Sequence, residues 1–102
     1  MIRPKLFISQ PMKGKTDEEI LEVRNKAILS AKRELGAEPE VIDSFFQGEP
    51  VTLKPLGYLG KSLILMADAD VVYFAKGWEE ARGCRIEHEC AIEYGIELII
   101  EE

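Results

Sequence analysis

Residues 71–75 form an uninterrupted apolar run, and this feature constrains the fold more than any other in the sequence. A strand that is apolar on both faces must be covered on both faces, which is typical of the centre of a parallel sheet. Residues 5–9 and 96–100 are two further strand-like runs, and residues 38–42 form a weaker one that contains Pro39. Because proline cannot donate to a strand ladder, we expect the weaker strand at an edge of the sheet.

Helical patterns separate these four runs. The first helix is predicted to begin after Thr16, which forms a capping box with Glu19, and to end at Gly36. The second helix is predicted to begin at Pro55, and the third to run from about residue 83 to residue 94. The predicted apolar stripe of the second helix consists of Leu56, Leu59, Leu63 and Met66. Residues 43–53 are predicted to be irregular, and residues 76–82 to form a polar loop.

Strands that alternate with helices predict an α/β fold, here a Rossmann-like or flavodoxin-like three-layer sandwich with a four-stranded parallel sheet. Right-handed crossovers favour the strand order 2-1-3-4. The 102 residues are expected to form a single domain. In such sheets a ligand binds beyond the carboxyl ends of the strands, near the switch point between strands 1 and 3. Residues 9–15 and 76–82 meet there, so we expect the ligand site between these two loops.

Charge and composition narrow the classes of partner. The formal net charge is −6 and lysine and arginine form no dense run, so no nucleic-acid polymer is expected as a partner. No apolar run approaches the roughly 20 residues that span a bilayer, and the first residues lack the apolar core of a signal peptide. Cys84 and Cys90 lie about 9 Å apart along the predicted third helix. That distance is too long for a disulfide, so we expect free thiols and a cytoplasmic location.

Glu87 is the side chain best placed for chemistry. It lies on the third helix in line with Gly83 and Ala91, and these small neighbours predict close packing of that line on the sheet. Because helical side chains lean toward the N-terminus, the carboxylate is expected to point into the crevice, where the helix dipole favours its ionised form. An ionised, oriented carboxylate can act as a nucleophile. The alternative is a glutamate that only complements the helix dipole.

The start of the third helix offers a second candidate. Arg82 and the free amides of Gly83 and Cys84 are suited to bind a phosphate, although they can equally form an ordinary helix start. The Trp78 indole can stack on a nucleobase or cover the core from outside. Residues 13–15 can place two cations near an anion, or simply form a flexible turn.

Several other polar residues are interpreted without a catalytic role. Cys84 is expected to be a buried or half-buried structural thiol, because the chain has no second histidine to pair with it. His88 is expected on the surface and not as a metal ligand, and no metal site is predicted. Asp68 and Asp70 precede the third strand, so they should lie at the end of the sheet away from the site, whereas Asp43 should lie on the rim of the site.

Residues 77–91, with Gly95, resemble the pattern of the DUF4406 proteins of bacteria and phages, which belong to the nucleoside 2-deoxyribosyltransferase superfamily. Residues 7–14 are similar to the first strand and loop of that family. The resemblance covers nearly the whole chain. It implies that Glu87, followed by Ala91 and Gly95, is the catalytic glutamate, which attacks C1′ of a 2-deoxyribosyl group and displaces the nucleobase. Another base or water then resolves the covalent ester.

The resemblance also implies a nucleoside or nucleotide ligand, no cofactor and a homo-oligomer. Arg82 and its neighbouring amides would hold phosphate or sugar oxygens, and Trp78, Met12 and Pro11 would contact the base. The complete set of implied substrate-binding residues is Ser9, Gln10, Pro11, Met12, Lys13, Gly14, Gly77, Trp78, Arg82, Gly83 and Cys84.

Two positions depart from the family pattern. Phe7 stands where active enzymes commonly have a tyrosine that orients the glutamate, and Ala81 stands where well-studied transferases have an aspartate that holds the sugar. A transferase, a nucleotide hydrolase and a noncatalytic nucleotide-binding or sensing module are therefore the alternatives that the sequence leaves open.

Overall fold

The computed structural model describes residues 3–45 and 53–101. The elements follow one another as β1 (Lys5–Ser9), α1 (Asp17–Leu35), β2 (Glu40–Val41), α2 (Pro55–Met66), β3 (Val71–Phe74), a 3-10 turn (Trp78–Glu80), α3 (Arg82–Glu93) and β4 (Glu97–Ile100). The four strands form one parallel sheet in the order β2-β1-β3-β4. The predicted α/β Rossmann-like fold and the predicted strand order are confirmed.

Local signals fix the ends of α1 as predicted. The Thr16 hydroxyl accepts a hydrogen bond from the Glu19 amide at 3.1 Å, and the Glu19 carboxylate accepts one from the Thr16 amide at 2.9 Å. The helix ends at Gly36, whose φ of 64° is left-handed and therefore favours glycine. A helix capped at both ends needs little help from its neighbours to define its length.

The edge strand and the third helix differ slightly from the prediction. β2 contains only Glu40 and Val41 and pairs on one side, with β1. Pro39 precedes it, which fits the expected position at the edge. α3 begins at Arg82, one residue earlier than predicted, and the loop before it contains the 3-10 turn. Residues 46–52 of the stretch predicted to be irregular lie outside the described residues.

The apolar stripe predicted for α2 is only partly correct. Met66 is buried and Leu63 packs against the core, but Leu56 is 77% exposed. Because α2 is apolar on several sides, its periodicity does not reveal which side is buried.

No helix in the described part of the chain is both long and apolar enough to cross a membrane.

The core lies on both faces of the sheet, because successive strand residues point to opposite sides. On one face, Leu6 and Ile8 of β1 pack with Val71 and Tyr73 of β3 against α1. On the other face, the cluster formed with α2 and α3 consists of Phe7, Met66, Val72, Phe74 and Ala91. Ser9 follows Phe7 by two residues, so the alternation places its side chain on the same face as α3.

Candidate functional site

A short hydrogen bond joins the carboxyl end of β1 to α3. The Ser9 hydroxyl donates to Glu87 Oε1, with 2.6 Å between the two oxygens. Ser9 is 1% exposed and Glu87 is 7% exposed, so the pair is almost completely removed from solvent. The Glu87 carboxylate therefore lies at the carboxyl end of β1, one of the two strands at which the order reverses.

Of the two small residues in line with Glu87 on α3, only one packs closely on the sheet. Ala91 is fully buried against the sheet, as expected, and allows α3 to approach Phe7 and Phe74 closely. The expectation of close packing at Gly83 is wrong. A Cβ atom added at Gly83 would meet no heavy atom within 4 Å, so a side chain at this position would face open space.

Burial controls the protonation of Glu87. Loss of solvent raises the pKa of its carboxyl from the ordinary 4.5 to about 7, and the hydrogen bond from Ser9 only partly opposes this rise. The helix dipole was expected to favour the ionised form, but desolvation raises the pKa and is the stronger effect at Glu87. Near neutral pH the carboxyl is poised between its two protonation states.

Cys84 lies one turn before Glu87 on α3 and completes the buried group around Ser9. It is 4% exposed, and burial raises the pKa of its thiol to about 11, while an interaction with the Ser9 side chain lowers the pKa and the charge of Glu87 raises it. The thiol is thus neutral at physiological pH, in accord with the expected structural role. Cys84 and Cys90 are both free.

His88 is half-buried and belongs to an aromatic cluster beside this group, so it is less exposed than expected. Its ring stacks on the Trp78 indole, with 4.2 Å between centroids and 18° between planes, and meets the Phe74 ring edge-on at 5.1 Å. Trp78 also contacts Phe74, at 5.4 Å. The Trp78 indole packs against the apolar core, as one of its two interpretations predicted, and His88 occupies one face of the ring.

The two loops predicted to meet do lie side by side. A Cβ atom added at Gly77 would stand 3.5 Å from Pro11 Cγ, so the glycine lies against the loop that follows β1. Gly77 also has a φ of 89°, a left-handed conformation that turns the chain toward Trp78. Pro11 and Met12 are half-buried, whereas Lys13 is exposed.

Residues 13–15 form a turn, closed by a hydrogen bond of 3.1 Å from the Lys15 amide to the Met12 carbonyl. Gly14, at a φ of 77°, provides the left-handed residue of this turn. Gln10 does not face α3. Its Nε2 donates to the Ile20 carbonyl of α1 at 3.1 Å, and its buried Oε1 has no partner among the described residues.

The start of α3 lacks a side-chain cap. Ala81 is the N-cap residue and offers no oxygen to the amides of the first turn. Arg82 is exposed, and Arg85 donates to the Glu79 carbonyl at 3.0 Å. These free amides and cations can accept an anion, but they also fit the plain helix start that the sequence left open.

The carboxylates before β3 lie at the far end of the sheet, as predicted. Asp70 Oδ2 accepts a hydrogen bond of 2.8 Å from the Lys5 amide at the beginning of β1. In the part of the chain that the structure describes, no group of three or more His, Cys, Asp or Glu side chains could hold a metal ion.

Arg24 is a buried polar residue that was not among the sequence-based candidates. This α1 residue is 7% exposed and donates to the Ser44 hydroxyl at 3.2 Å and to the Ile42 carbonyl at 3.3 Å. Burial lowers the pKa of its guanidinium, and the charge of Asp43 opposes that change. Arg24 thus ties α1 to the segment after β2. Its place on the buried stripe of α1, one turn after Ile20, was a signal in the sequence.

A family model described as a domain of unknown function (DUF4406) matches residues 4–100. The match spans β1 to β4 and so includes Ser9, Glu87 and both loops of the candidate site. A comparison with curated proteins and a comparison with solved structures each gave no match. Because the family model covers nearly the whole chain, the protein belongs to the DUF4406 family.

Proposed function

We propose that the protein cleaves the N-glycosidic bond of a 2′-deoxynucleoside or its 5′-monophosphate, with Glu87 as the nucleophile. The observation that carries this proposal is the hydrogen-bonded pair of Ser9 and Glu87, an oriented and largely buried carboxylate at the carboxyl end of a parallel sheet. Ligands of such sheets bind at this end. The resemblance to the nucleoside 2-deoxyribosyltransferase superfamily supplies the class of reaction.

The reaction would proceed in two displacements, as in retaining glycosidases. A lone pair of the Glu87 carboxylate forms a bond to C1′ while the C1′–N bond breaks, and the base leaves with that electron pair and takes a proton from water. Water then attacks C1′ and releases a proton to solvent in a hydrolase, or a second base attacks and loses its proton in the same way in a transferase. The C1′–O bond to Glu87 breaks with its electrons on the carboxylate, which is thereby restored.

The residues around the carboxylate suggest how the substrate would lie. Arg82 and the uncapped amides of the first turn of α3 would hold phosphate or sugar oxygens. Pro11 and Met12 would contact the base from the opposite loop. Trp78 would contribute an edge or its remaining face, since His88 covers the other.

The proposal also includes an oligomeric state and a cellular location. The exposed Leu56 and Ile64 on α2 agree with the homo-oligomer that the resemblance implies, because large exposed apolar side chains often mark interfaces. The free Cys84 and Cys90 agree with a reducing compartment, so we place the protein in the cytoplasm.

The proposal predicts that free base accumulates when the protein is incubated with the correct substrate and that Glu87→Gln reduces this release to background. Glutamine keeps the shape of the side chain but removes the nucleophilic charge. A panel of deoxynucleosides and their 5′-monophosphates, with the base quantified by chromatography, provides the measurement. Glu89→Gln is the matched control, because Glu89 is an exposed residue of the same helix and should leave the rate unchanged.

The outcomes separate the remaining alternatives. Release by the wild type and by Glu87→Gln alike would remove Glu87 from the mechanism. If no substrate releases base, but nucleotides raise the melting temperature of both proteins equally, the protein is a noncatalytic nucleotide-binding module. The substrates that react would show whether a phosphate is required, and an added acceptor base would distinguish a transferase from a hydrolase.

A further inference from the structure

The Ser9 hydroxyl is held in place by the sheet. Ser9 pairs in register with Phe74 of β3, and its carbonyl accepts a hydrogen bond of 2.9 Å from the Ala75 amide. Its side chain is 1% exposed, so it has little room to turn away from Glu87. The donor to the Glu87 carboxylate is therefore mounted on the most rigid part of the fold.

The neighbouring β1 side chain on this face cannot take that role. Phe7 is buried in the apolar cluster with Phe74 and Ala91, and its ring carries no donor. The Cys84 thiol stays neutral throughout the range in which Glu87 titrates, because its pKa is about 11. A neutral thiol is only a weak hydrogen-bond donor. Among the described β1 and Cys84 side chains, the Ser9 hydroxyl is therefore the strong donor to the Glu87 carboxylate.

We propose that Ser9 is the positioning residue for Glu87, and that its hydroxyl holds Oε1 so that Oε2 is the oxygen that bonds to C1′. This inference rests on the proposed glycosidic function. It assigns to Ser9 the orienting role that a tyrosine at the position of Phe7 would otherwise have. The hydrogen bond also favours the ionised carboxylate, because a hydroxyl donates more strongly to a charged oxygen than to a neutral one.

The test compares Ser9→Ala with the wild type in two measurements. The first is an NMR titration of the ¹³C-labelled Glu87 carboxyl, which needs no substrate. Removal of the donor should move its midpoint further above 7. The second is steady-state kinetics on the substrate found active, in which kcat should fall roughly ten- to hundredfold, as expected for a lost hydrogen bond to a charged group. KM should change little.

Two more variants separate positioning from a general effect on the fold. Ser9→Thr keeps the hydroxyl and should restore both the titration midpoint and most of kcat. If the added methyl group of Ser9→Thr prevents folding, the Glu87 titration in Ser9→Ala tests the positioning role without that variant. Ser62→Ala removes a half-buried hydroxyl from α2, an element that contains neither Ser9 nor Glu87, and should leave both quantities unchanged.

The result that overturns the inference is a Glu87 titration in Ser9→Ala that coincides with that of the wild type. An unchanged kcat in Ser9→Ala would also overturn it. Failure of the proposed function looks different. In that case no substrate would release base from the wild type, while the titration of Glu87 would still depend on the Ser9 hydroxyl, and Ser9 would then hold a carboxylate with another role.

Discussion

Replacing Glu87 with glutamine is expected to stabilise the fold at pH 8 by about 3 kcal/mol, even though it should abolish base release. Burial raises the pKa of the folded-state carboxyl to about 7 from its ordinary value of 4.5. Above pH 7 the wild type must therefore keep a charge in a site that disfavours it, whereas neutral glutamine carries no such penalty. A residue that weakens the fold where it performs chemistry is typical of active sites.

The stability difference between the wild type and Glu87→Gln should depend on pH in a specific direction. Well below pH 4.5 the carboxyl is protonated in both the folded and the unfolded chain, so the carboxyl should cause no difference in stability between the two proteins there. As the pH rises from 4.5 to 7, the unfolded chain ionises first, and the wild type loses stability relative to Glu87→Gln. Urea unfolding between pH 5 and pH 8.5 measures this difference. Glu89→Gln, exposed on the same helix, should show none of it. A pH-independent difference would contradict the burial of an ionisable carboxylate.

Replacing Phe74 with alanine should reduce the free energy of unfolding by about 3–5 kcal/mol. The Phe74 side chain is fully buried, and its ring contacts both Trp78 and His88, so its removal leaves a cavity beneath the stacked pair. Because β3 is the central strand between β1 and β4, the surrounding backbone has little freedom to close this cavity.

Urea unfolding followed by the fluorescence of Trp78 provides the measurement, because Trp78 is the only tryptophan of the chain. We expect the emission of the folded Phe74→Ala protein to change as well, since its indole loses a neighbour. Ile92→Ala is the control, because this α3 side chain is 53% exposed and should contribute less than about 0.5 kcal/mol. A loss of less than 1 kcal/mol in Phe74→Ala would mean that the aromatic cluster does not support the site.

Features that depend on nearby residues could be predicted from the sequence. The capping box of Thr16 and Glu19 acts over three residues, and the stop at Gly36 depends on one backbone angle. The run at β3 is apolar on both faces because the strand is central, and Pro39 marks the edge. The position of Glu87 at the carboxyl end of the sheet followed from the strand order and the direction in which helical side chains lean.

Features that depend on contacts between distant residues could not be predicted. Ser9 and Glu87 are 78 residues apart, and no local pattern indicates that their side chains share a hydrogen bond. The stacking of His88 on Trp78 depends on the left-handed turn at Gly77, which brings the indole back over α3. The pKa of Glu87 is raised because the packed structure removes its carboxyl from water, and the sequence does not show the extent of that burial.

Trapping the covalent bond between Glu87 and the sugar is the most direct test of the proposed reaction. A 2′-fluoro-2′-deoxyarabinonucleoside should form the ester but hydrolyse slowly, because the fluorine destabilises the oxocarbenium-like transition state. Peptide mass spectrometry should then find the fluorinated sugar on Glu87 of the wild type and of Glu89→Gln, and no adduct on Glu87→Gln. Release of base with no adduct, or with the sugar on another residue, would contradict covalent catalysis by Glu87.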